Sequence, residues 1–558
     1  MPPGPFLSRL ASGALCALAL PLACAPPTHA ADGASPCADA VVFEDRDGNG
    51  VRAPGERPLA GIRVSDGSHI VETGPDGRFH LPPGPDGRTV FAIKPAGYAL
   101  RGRADGLPDF WRNVRRAPGP ALKYGGMPVS EACADIALRA QSPSPARERD
   151  GLRVLVFADP QPKSMADVGY YAEDIVSPIV EQPAARIHGI GSTWAGQAAD
   201  LGLSLGDIVD DDLSLYPAMK RETARLGVPW LHLAGNHDLD FDAADDAGSL
   251  STFRHHYGPD TLAWEEPEAN FVALDDVVYQ PGTKGPGYIG GLREDQFAFL
   301  ERYLAGADRG RLLVLAMHIP LFEPAGRDTF RDADRERLFA LLRPFPKVLV
   351  LSAHNHTQQH VFHDARDGWR GAQPLHEYNV GAACGAFWSG VKDAQGIPDS
   401  TMADGTPNGY ARLRVARDGG YRLSWHSARG LGGEAMRLHA PRVLRKGAYP
   451  AFGVFANVFM GRDDSRVEYR VDDGEWQPMK RIERADPWLL AQNARDDQAD
   501  ALRGYDRSPE AEPSPHLWRG RLPTDLALGA HAVEVRVFDR WQGEQRAVTH
   551  YRLENAAP

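Results

Sequence analysis

The chain has 558 residues, of which 42% are apolar and 24% are charged, and its formal net charge is −12 at pH 7. A chain of this length is too long to fold around a single hydrophobic core, so we expect a globular protein of two to four domains. The acidic balance excludes a general nucleic-acid or anionic-membrane binder, although a metal can supply local positive charge for a small phosphorylated substrate.

The N-terminal segment has the pattern of a secretory signal peptide. One arginine precedes an apolar run of about 15 residues, and small-residue cleavage sites follow in "THA" and "HAA". We therefore predict a signal peptide over residues 1–31 and a periplasmic or secreted protein. A lipid anchor on Cys24 is the alternative, disfavoured by the proline in "PLAC". No later run of about 18 apolar residues occurs, so no transmembrane segment is predicted in the mature chain.

Residues 37–140 are predicted to form a small β-sandwich-like domain, because short β-rich runs alternate there with Gly, Pro and Asp turns. Cys37 and Cys133 bracket this domain. They would pair in an oxidising compartment, and two free buried thiols are the other interpretation. The composition of residues 141–151, "QSPSPARERDG", predicts a linker.

The stretch "DRDGNGVRAPGE" inside this first domain fits the residue spacing of a calcium loop. Its candidate ligands are Asp45, Asp47, Asn49 and Glu56. The flanking segments are typical of strands rather than of two helices, and Pro54 interrupts a helical exit. Calcium binding and a metal-free Asp/Asn/Gly turn therefore both remain open.

Residues 152–430 show a different pattern, in which apolar runs alternate with helix-like stretches at 214–227, 293–306 and 332–345. Such alternation predicts an α/β domain. In residues 435–556 the strand pattern returns, with alternating runs such as "SRVEYRVDDGEW" and "HAVEVRVFDRW". We predict a C-terminal β-sandwich of the immunoglobulin-like kind there.

Five apolar runs of the central domain end in side chains that commonly bind metals. Because the carboxyl ends of strands in an open α/β sheet meet at one edge, these side chains are expected to form one site. In chain order they are Asp159 and Gln161, then Asp207, then Asn236 with His237 and Asp238, then His318, and finally His354 with His356.

The residue types suit a centre of two divalent metal ions, in which Asp207 can offer an oxygen to each ion. A metal pair about 4 Å apart can bind a phosphate and activate a hydroxide for in-line attack. The other ligands divide into Asp159 and His356 for one metal, and Asn236, His318 and His354 for the second. Asp210 and Asp211 are interpreted as residues that solvate or cap the loop after the bridge.

The motif order Asp-x-Gln, Gly-Asp-x-x-Asp, Gly-Asn-His-Asp, His and His-x-His resembles the calcineurin-like metallophosphoesterases. The flanking modules resemble those of a bacterial subgroup with extra N-terminal and C-terminal β domains. The resemblance implies a double β-sheet sandwich flanked by helices, and hydrolysis of a phosphomonoester or phosphodiester by a metal-bridging hydroxide. It implies Mn, Fe, Zn or Mg as the metal ions.

The resemblance also assigns roles beyond the metal ligands. His237 is expected to assist the leaving group, and Asp238 is expected to orient that histidine. Gln161 departs from the more usual Asp-x-His, so it is expected to bind metal weakly, either directly or through water. The alternative function is a catalytically weak phosphate-ligand-binding or envelope-adhesion protein on the same scaffold.

Overall fold

The computed structural model describes residues 37–130, 133–181, 199–283, 287–323, 329–428, 434–449, 452–504 and 506–556. The predicted signal peptide, residues 1–31, lies outside this described part of the chain. Within the described ranges, no helix has both the length and the apolar character needed to span a membrane.

The N-terminal domain consists of two small sheets around its own apolar core. Cys37 and Cys133 form a disulfide with their Cα atoms 5.1 Å apart, so the pairing hypothesis is confirmed. The strand orders are β1-β7-β5 and β3-β2-β4-β6, where the strands are β1 (Val42–Glu44), β2 (Arg63–Ser65), β3 (Ile70–Glu72), β4 (Arg88–Ala92), β5 (Tyr98–Ala99), β6 (Trp111–Val114) and β7 (Ile136–Ala140).

The predicted linker contains a short helix, α1 (Pro145–Asp150), which the sequence analysis did not anticipate. Ser144 caps its N-terminus by accepting from the backbone N of Arg147, and proline occupies the first helical position. The Arg147 guanidinium lies 2.8 Å from Glu266 and 2.5 Å from Glu268 of the central domain. The segment is therefore docked on its neighbour rather than free.

The central domain contains two main sheets. In the five-stranded sheet, order β10-β9-β8-β19-β20, strands β8, β9 and β10 are parallel. In the six-stranded sheet, order β11-β12-β15-β16-β18-β17, the four inner strands are parallel and both edge strands are antiparallel. The strands are β8 (Leu152–Phe157), β9 (Leu201–Leu205), β10 (Trp230–Leu233), β11 (Leu262–Glu265), β12 (Ala269–Ala273), β13 (Val277–Tyr279), β14 (Tyr288–Gly290), β15 (Leu312–Ala316), β16 (Val348–Ser352), β17 (Gln359–His363), β18 (Leu375–Asn379), β19 (Gly409–Val415) and β20 (Tyr421–Ser427).

Helices accompany both sheets, and the three helix-like stretches of the sequence are confirmed as α4, α6 and α7. A six-residue π-helical segment, Tyr171–Val176, lies between α2 and α3. Short 3₁₀ turns occur at Leu213–Leu215, Asp246–Gly248 and Ala365–Asp367. The helices are α2 (Met165–Tyr170), α3 (Ser177–Glu181), α4 (Tyr216–Ala224), α5 (Ser251–Tyr257), α6 (Glu294–Gly306) and α7 (Asp332–Leu342).

The C-terminal domain is a β-sandwich with sheets β21-β23-β27-β26 and β22-β29-β28-β24-β25. The immunoglobulin-like assignment stays a prediction. One helix, α8 (Pro487–Asp497), begins at the capping residue Asp486. The strands are β21 (Met436–His439), β22 (Val443–Arg445), β23 (Gly453–Val458), β24 (Arg466–Val471), β25 (Gln477–Pro478), β26 (Lys480–Ala485), β27 (Pro513–Arg521), β28 (Gly529–Asp539) and β29 (Gly543–Glu554).

The apolar core of the central domain continues into both neighbours. Phe110 and Trp111 of the N-terminal domain and Phe459 of the C-terminal domain belong to the same buried cluster as the central strands. Such shared burial holds the three domains together far more firmly than surface contacts would. Loops of the flanking domains are therefore held at fixed positions beside the central sheets.

Candidate metal centre

Both main sheets deliver polar side chains to one place, at the carboxyl ends of their parallel strands. Strands β8, β9 and β10 come from one sheet, and β15 and β16 come from the other. The predicted ligands follow these strands directly in the sequence: Asp159 and Gln161 after β8, Asp207 after β9, Asn236 after β10, His318 after β15, and His354 and His356 after β16.

The imidazole of His318 lies at the middle of this cluster and is fully buried. Its Nε2 lies 3.3 Å from Asp207 Oδ2, 3.0 Å from Asn236 Oδ1 and 3.2 Å from His354 Nδ1. Its Nδ1 donates to the carbonyl of Leu205 at 2.8 Å. In the neutral ring, that bond leaves Nε2 as the nitrogen with a lone pair for a metal.

A second group of ligand atoms lies beside the first. His356 Nδ1 donates to the carbonyl of Gly385 at 2.7 Å, so its Nε2 faces Asp159 Oδ1 at 3.8 Å. Asp159 also accepts a hydrogen bond from the backbone N of His354 at 3.3 Å. The two groups lie side by side, and the division of ligands between two cations stays a prediction.

The backbone at the centre adopts an uncommon conformation. Five of the seven predicted ligands have φ between 39° and 72°: Asp159, Gln161, Asp207, His354 and His356. Non-glycine residues rarely adopt this region, and such strain concentrates at functional sites. Gly235 is required for close approach, because a Cβ there would lie 2.2 Å from Asp207 Oδ1. The strained backbone at these positions therefore costs local stability, and it accompanies side chains that converge on the centre.

The protonation states also suit cation binding. Burial lowers the pKa of His354 to about 3 and that of His356 to about 4, so both imidazoles are neutral at pH 7. Burial acts to lower the pKa of His318, but the negative charge of Asp207 and its hydrogen bond outweigh it and raise that pKa to about 10. Without a cation His318 is therefore protonated at pH 7, and a divalent cation bound there would take the place of its Nε2 proton.

The donor set fits a pair of divalent metal ions. It contains two carboxylates, three imidazoles and an amide, the ligands that first-row metals take in proteins. Asp207, His318 and His354 alone place one ligand atom each within 4.8 Å of one another. The number and identity of the bound metals remain predictions.

Gln161 lies at the border of the centre. Its side chain is 1% exposed, its Nε2 lies 3.4 Å from Asp210 Oδ1, and its Oε1 lies 4.0 Å from the buried Cys384 thiol. These contacts place the amide among the site residues. Direct metal ligation by Gln161 stays a prediction.

His237 is held next to the metal ligands by two carboxylates. Its Nδ1 lies 2.7 Å from Asp211 Oδ1 and 2.9 Å from Asp210 Oδ1, and its backbone N donates to Asp207 at 2.9 Å. Burial acts to lower the pKa of His237, but the hydrogen bonds to Asp210 and Asp211 outweigh it and raise that pKa to about 11. The imidazole is therefore protonated at neutral pH.

The prediction that Asp238 orients His237 is wrong. The Asp238 carboxylate is fully buried and accepts from the backbone N of Ile208 at 3.1 Å, from that of Gly235 at 2.8 Å, and from the hydroxyl of Tyr216 at 2.9 Å. These partners lie in the loops after β9 and β10 and at the start of α4. Asp238 ties those loops together, and Asp210 and Asp211 are the partners of His237.

Sequence reasoning also missed the loop after β18. Cys384 donates its backbone N to the carbonyl of Asp159 at 3.0 Å, and Gly385 supplies the carbonyl that orients His356. The half-exposed Phe387 ring lies 4.5 Å from the His356 ring. Strand β18 is parallel to β16, so its carboxyl end also lies at the edge of the sheet where the site forms. The loop after it acts through backbone groups, however, and residue types do not reveal such a role.

The predicted calcium loop also clusters, with Asp45, Asp47 and Glu56 within 4.8 Å of one another. Its polar groups bond largely to the loop itself. Asp45 accepts from the backbone N of Gly48 and Gly50 at 2.7 and 3.0 Å, while Asn49 Nδ2 donates to Asp47 at 2.7 Å. This pattern is typical of a turn that closes without a metal, and calcium binding there stays a prediction.

Family models match the chain in three consecutive parts. Residues 152–358 match the calcineurin-like phosphoesterase model, residues 46–123 match the N-terminal model of that family, and residues 377–544 match its C-terminal model. A 3',5'-cyclic adenosine monophosphate phosphodiesterase, CpdA of Pseudomonas aeruginosa, is 31% identical over 226 residues, which are 39% of this chain and 71% of the relative. The chain belongs to the calcineurin-like phosphoesterase family of metal-dependent hydrolases.

Two solved structures show a partial similarity to this chain. Purple acid phosphatase PPD1 from yellow lupin (Lupinus luteus) seeds has a TM-score of 0.36 at 13% identity, covering 66% of this chain and 68% of the phosphatase. GAP50, the anchor in the inner membrane complex of Plasmodium, has a TM-score of 0.30 at 14% identity, covering 50% of this chain and 85% of that one.

Proposed function

We propose that the protein is an exported phosphoesterase that hydrolyses a phosphomonoester or phosphodiester at a centre of two divalent cations. The observation that carries this proposal is the convergence on His318 Nε2 of Asp207, Asn236 and His354, all within 3.3 Å. Asp159 and His356 would complete the second cation position beside it. Asp207, next to both groups, would be the bridge.

Divalent cations bound there would supply Lewis acidity to a phosphoryl oxygen and lower the pKa of water. The chain's own residues would hold the substrate against them. Because five strands and two sheets fix the ligand positions, little reorganisation is needed when charge develops on the phosphoryl group.

His237 would act as the general acid toward the leaving oxygen. Its Nδ1 is committed to Asp210 and Asp211, which leaves Nε2 as the nitrogen that can give a proton to substrate. Its pKa, raised to about 11, keeps it charged before the reaction. The two carboxylates would also fix the ring orientation, which a general acid requires.

The Cys37–Cys133 disulfide supports export, because such bonds persist in oxidising compartments and are rare in reducing ones. Fractionation of the native producing cells, with the full chain detected by antibody, tests this part of the proposal. We expect the protein in the periplasm or the medium, shortened near residue 31. Full-length protein confined to the cytoplasm would contradict it.

The reaction itself is tested with the purified protein and three phosphate esters: 4-nitrophenyl phosphate, bis(4-nitrophenyl) phosphate and 3',5'-cyclic AMP. The cyclic diester is included because the relative with 31% identity is a phosphodiesterase of that compound. We expect hydrolysis of at least one ester, lost on chelation and restored by Mn²⁺. Metal-loaded protein that binds phosphate but turns over none of these esters would favour the binding-protein alternative.

A further inference from the structure

A loop of the N-terminal domain reaches the catalytic centre. Residues 119–127, named here the docking loop, contact the segment that follows His237 and the start of α5. Lys123 donates its backbone N to Asp242 at 2.8 Å, and Met127 donates its backbone N to the Ser251 hydroxyl at 2.9 Å. The loop is thus fixed to the central domain at its middle and at its C-terminal end.

Packing reinforces these hydrogen bonds. Leu122 is buried in the same apolar cluster as the central strands, and Gly126 approaches Ser251 so closely that a Cβ there would lie 3.0 Å from the hydroxyl oxygen. The backbone N of Gly126 also donates to Thr252 Oγ1 at 3.1 Å. A loop held in this way can position a side chain with little loss of conformational entropy when substrate binds.

The side chain that the docking loop presents to the centre is Tyr124. Its hydroxyl donates to the backbone carbonyl of Asp211 at 2.9 Å. Asp211 has φ +63°, and its carboxylate is 58% exposed, so its orientation depends on how its backbone is held. The carboxylate of the same residue lies 2.7 Å from His237 Nδ1, which gives the order Tyr124, Asp211, His237.

We propose that Tyr124 is a positioning residue for the leaving-group acid, so that the N-terminal domain completes the active site of the central domain. By fixing the backbone of Asp211, its hydroxyl keeps that carboxylate on His237 and keeps the imidazole aimed at the leaving oxygen. This inference rests on the proposed function, because it assigns Tyr124 to the same reaction.

The test is a double-mutant cycle in the full-length, Mn²⁺-loaded protein with Tyr124→Phe and Asp211→Asn. Each variant is assayed on glycerol phosphate, whose alkoxide must be protonated as it leaves, and on 4-nitrophenyl phosphate, whose leaving group needs no proton. The matched control is Tyr98→Phe, which removes a hydroxyl from the same domain outside the docking loop.

We expect Tyr124→Phe to lower kcat on glycerol phosphate about five-fold, the effect of one hydrogen bond, with KM unchanged and less than a two-fold loss on the nitrophenyl ester. In the Asp211→Asn background, Tyr124→Phe should cause no further loss of activity. The control Tyr98→Phe should have wild-type activity on both esters.

Equal losses on both esters, no loss on either, or a five-fold loss that persists in the Asp211→Asn background would overturn the inference while leaving the proposed function in place. If the wild-type protein hydrolyses only diesters, the same cycle is run on 3',5'-cyclic AMP, whose alkoxide must be protonated, and on bis(4-nitrophenyl) phosphate, whose leaving group needs no proton. A metal-loaded wild-type protein that hydrolyses neither the monoesters nor these diesters would overturn both.

Discussion

Two acidic loops of this protein, one around Asp45 and one around Asp207, carry metal-ligand motifs, but their side chains contact different kinds of groups. In the N-terminal loop around Asp45, the oxygens accept hydrogen bonds from the loop's own backbone. In the central cluster, Asp207, His318 and His354 turn their ligand atoms toward one another, in a buried place with strained backbone. Spacing in a sequence marks both as candidates, whereas convergence of side chains from distant strands distinguishes the second.

The largest expected effect separates these two loops directly. Asp207→Asn should lower phosphoesterase activity about 10³-fold or more, because the bridge loses one anionic oxygen. It should also reduce the bound metal measured by mass spectrometry. Asp47→Asn, the same chemical change in the N-terminal loop, should leave activity within about two-fold of the wild type. Equal losses in the two variants would remove the distinction between the loops.

The corrected partners of His237 give the next prediction. Asp210→Asn combined with Asp211→Asn should slow hydrolysis of an alkyl phosphate about 10²-fold, because His237 loses the charges that raise its pKa and fix its ring. Metal content should stay at the wild-type value, since neither residue is a predicted ligand. Loss of metal in this variant would show instead that the pair belongs to the metal centre.

Asp238 offers a contrast within the same motif. Asp238→Ala should lower the free energy of unfolding by about 2–4 kcal/mol, because the backbone N–H groups of Ile208 and Gly235 lose a buried acceptor. Urea denaturation of the metal-free protein measures this quantity. Wild-type stability together with impaired proton transfer would restore the role that the sequence resemblance assigned to Asp238.

The loop of Asp45, Asp47 and Glu56 gives a smaller expected effect, which tests whether it binds calcium. If the turn closes by its own hydrogen bonds, 1 mM Ca²⁺ should change the melting temperature of the protein by less than about 1 °C. A rise of several degrees that disappears in Asp47→Asn would establish a calcium site in this loop. Differential scanning calorimetry on chelator-treated protein makes the comparison.

His376 offers a contrast to His318, because it is a buried histidine that contacts another histidine instead of a carboxylate. His376 Nε2 lies 3.0 Å from His360 Nδ1, and burial, with the charge of Arg462, lowers the pKa of His376 to about 3. Since the unfolded chain has a histidine pKa near 6.5, it binds the proton first, and stability should fall as the pH drops from about 6.5 toward 3.

Replacing His376 by Gln should therefore reduce the loss of unfolding free energy between pH 7.5 and 5.0 by about 2 kcal/mol. The exposed His550→Gln is the control and should retain the wild-type pH dependence of stability. An unchanged slope in His376→Gln would contradict the assignment of a buried, neutral imidazole.

The sequence predicted the parts of the site that depend on residue type at strand ends. Apolar runs of β8, β9, β10, β15 and β16 identified buried parallel strands, and geometry then required Asp159, Asp207 and His318 to meet. The alternation of apolar runs with helix-like stretches likewise placed the helices α4, α6 and α7.

What the sequence did not predict depends on backbone groups and on contacts between distant segments. The carbonyl of Gly385, the reach of Tyr124 from another domain, and the choice of Asp211 over Asp238 as partner of His237 follow from loop conformation. Asp211 has positive φ and contacts the imidazole of His237, and no residue pattern signals that contact. Helix α1 was missed because its Ser-Pro start was interpreted as a linker.

Anomalous diffraction from crystals grown with Mn²⁺ tests the central assignment most directly. We expect two peaks about 4 Å apart, one on each side of the Asp207 carboxylate, with His318 and His354 beside one peak and Asp159 and His356 beside the other. Density without a peak at Asp207, or a single peak confined to the Asp45 loop, would contradict the dinuclear centre.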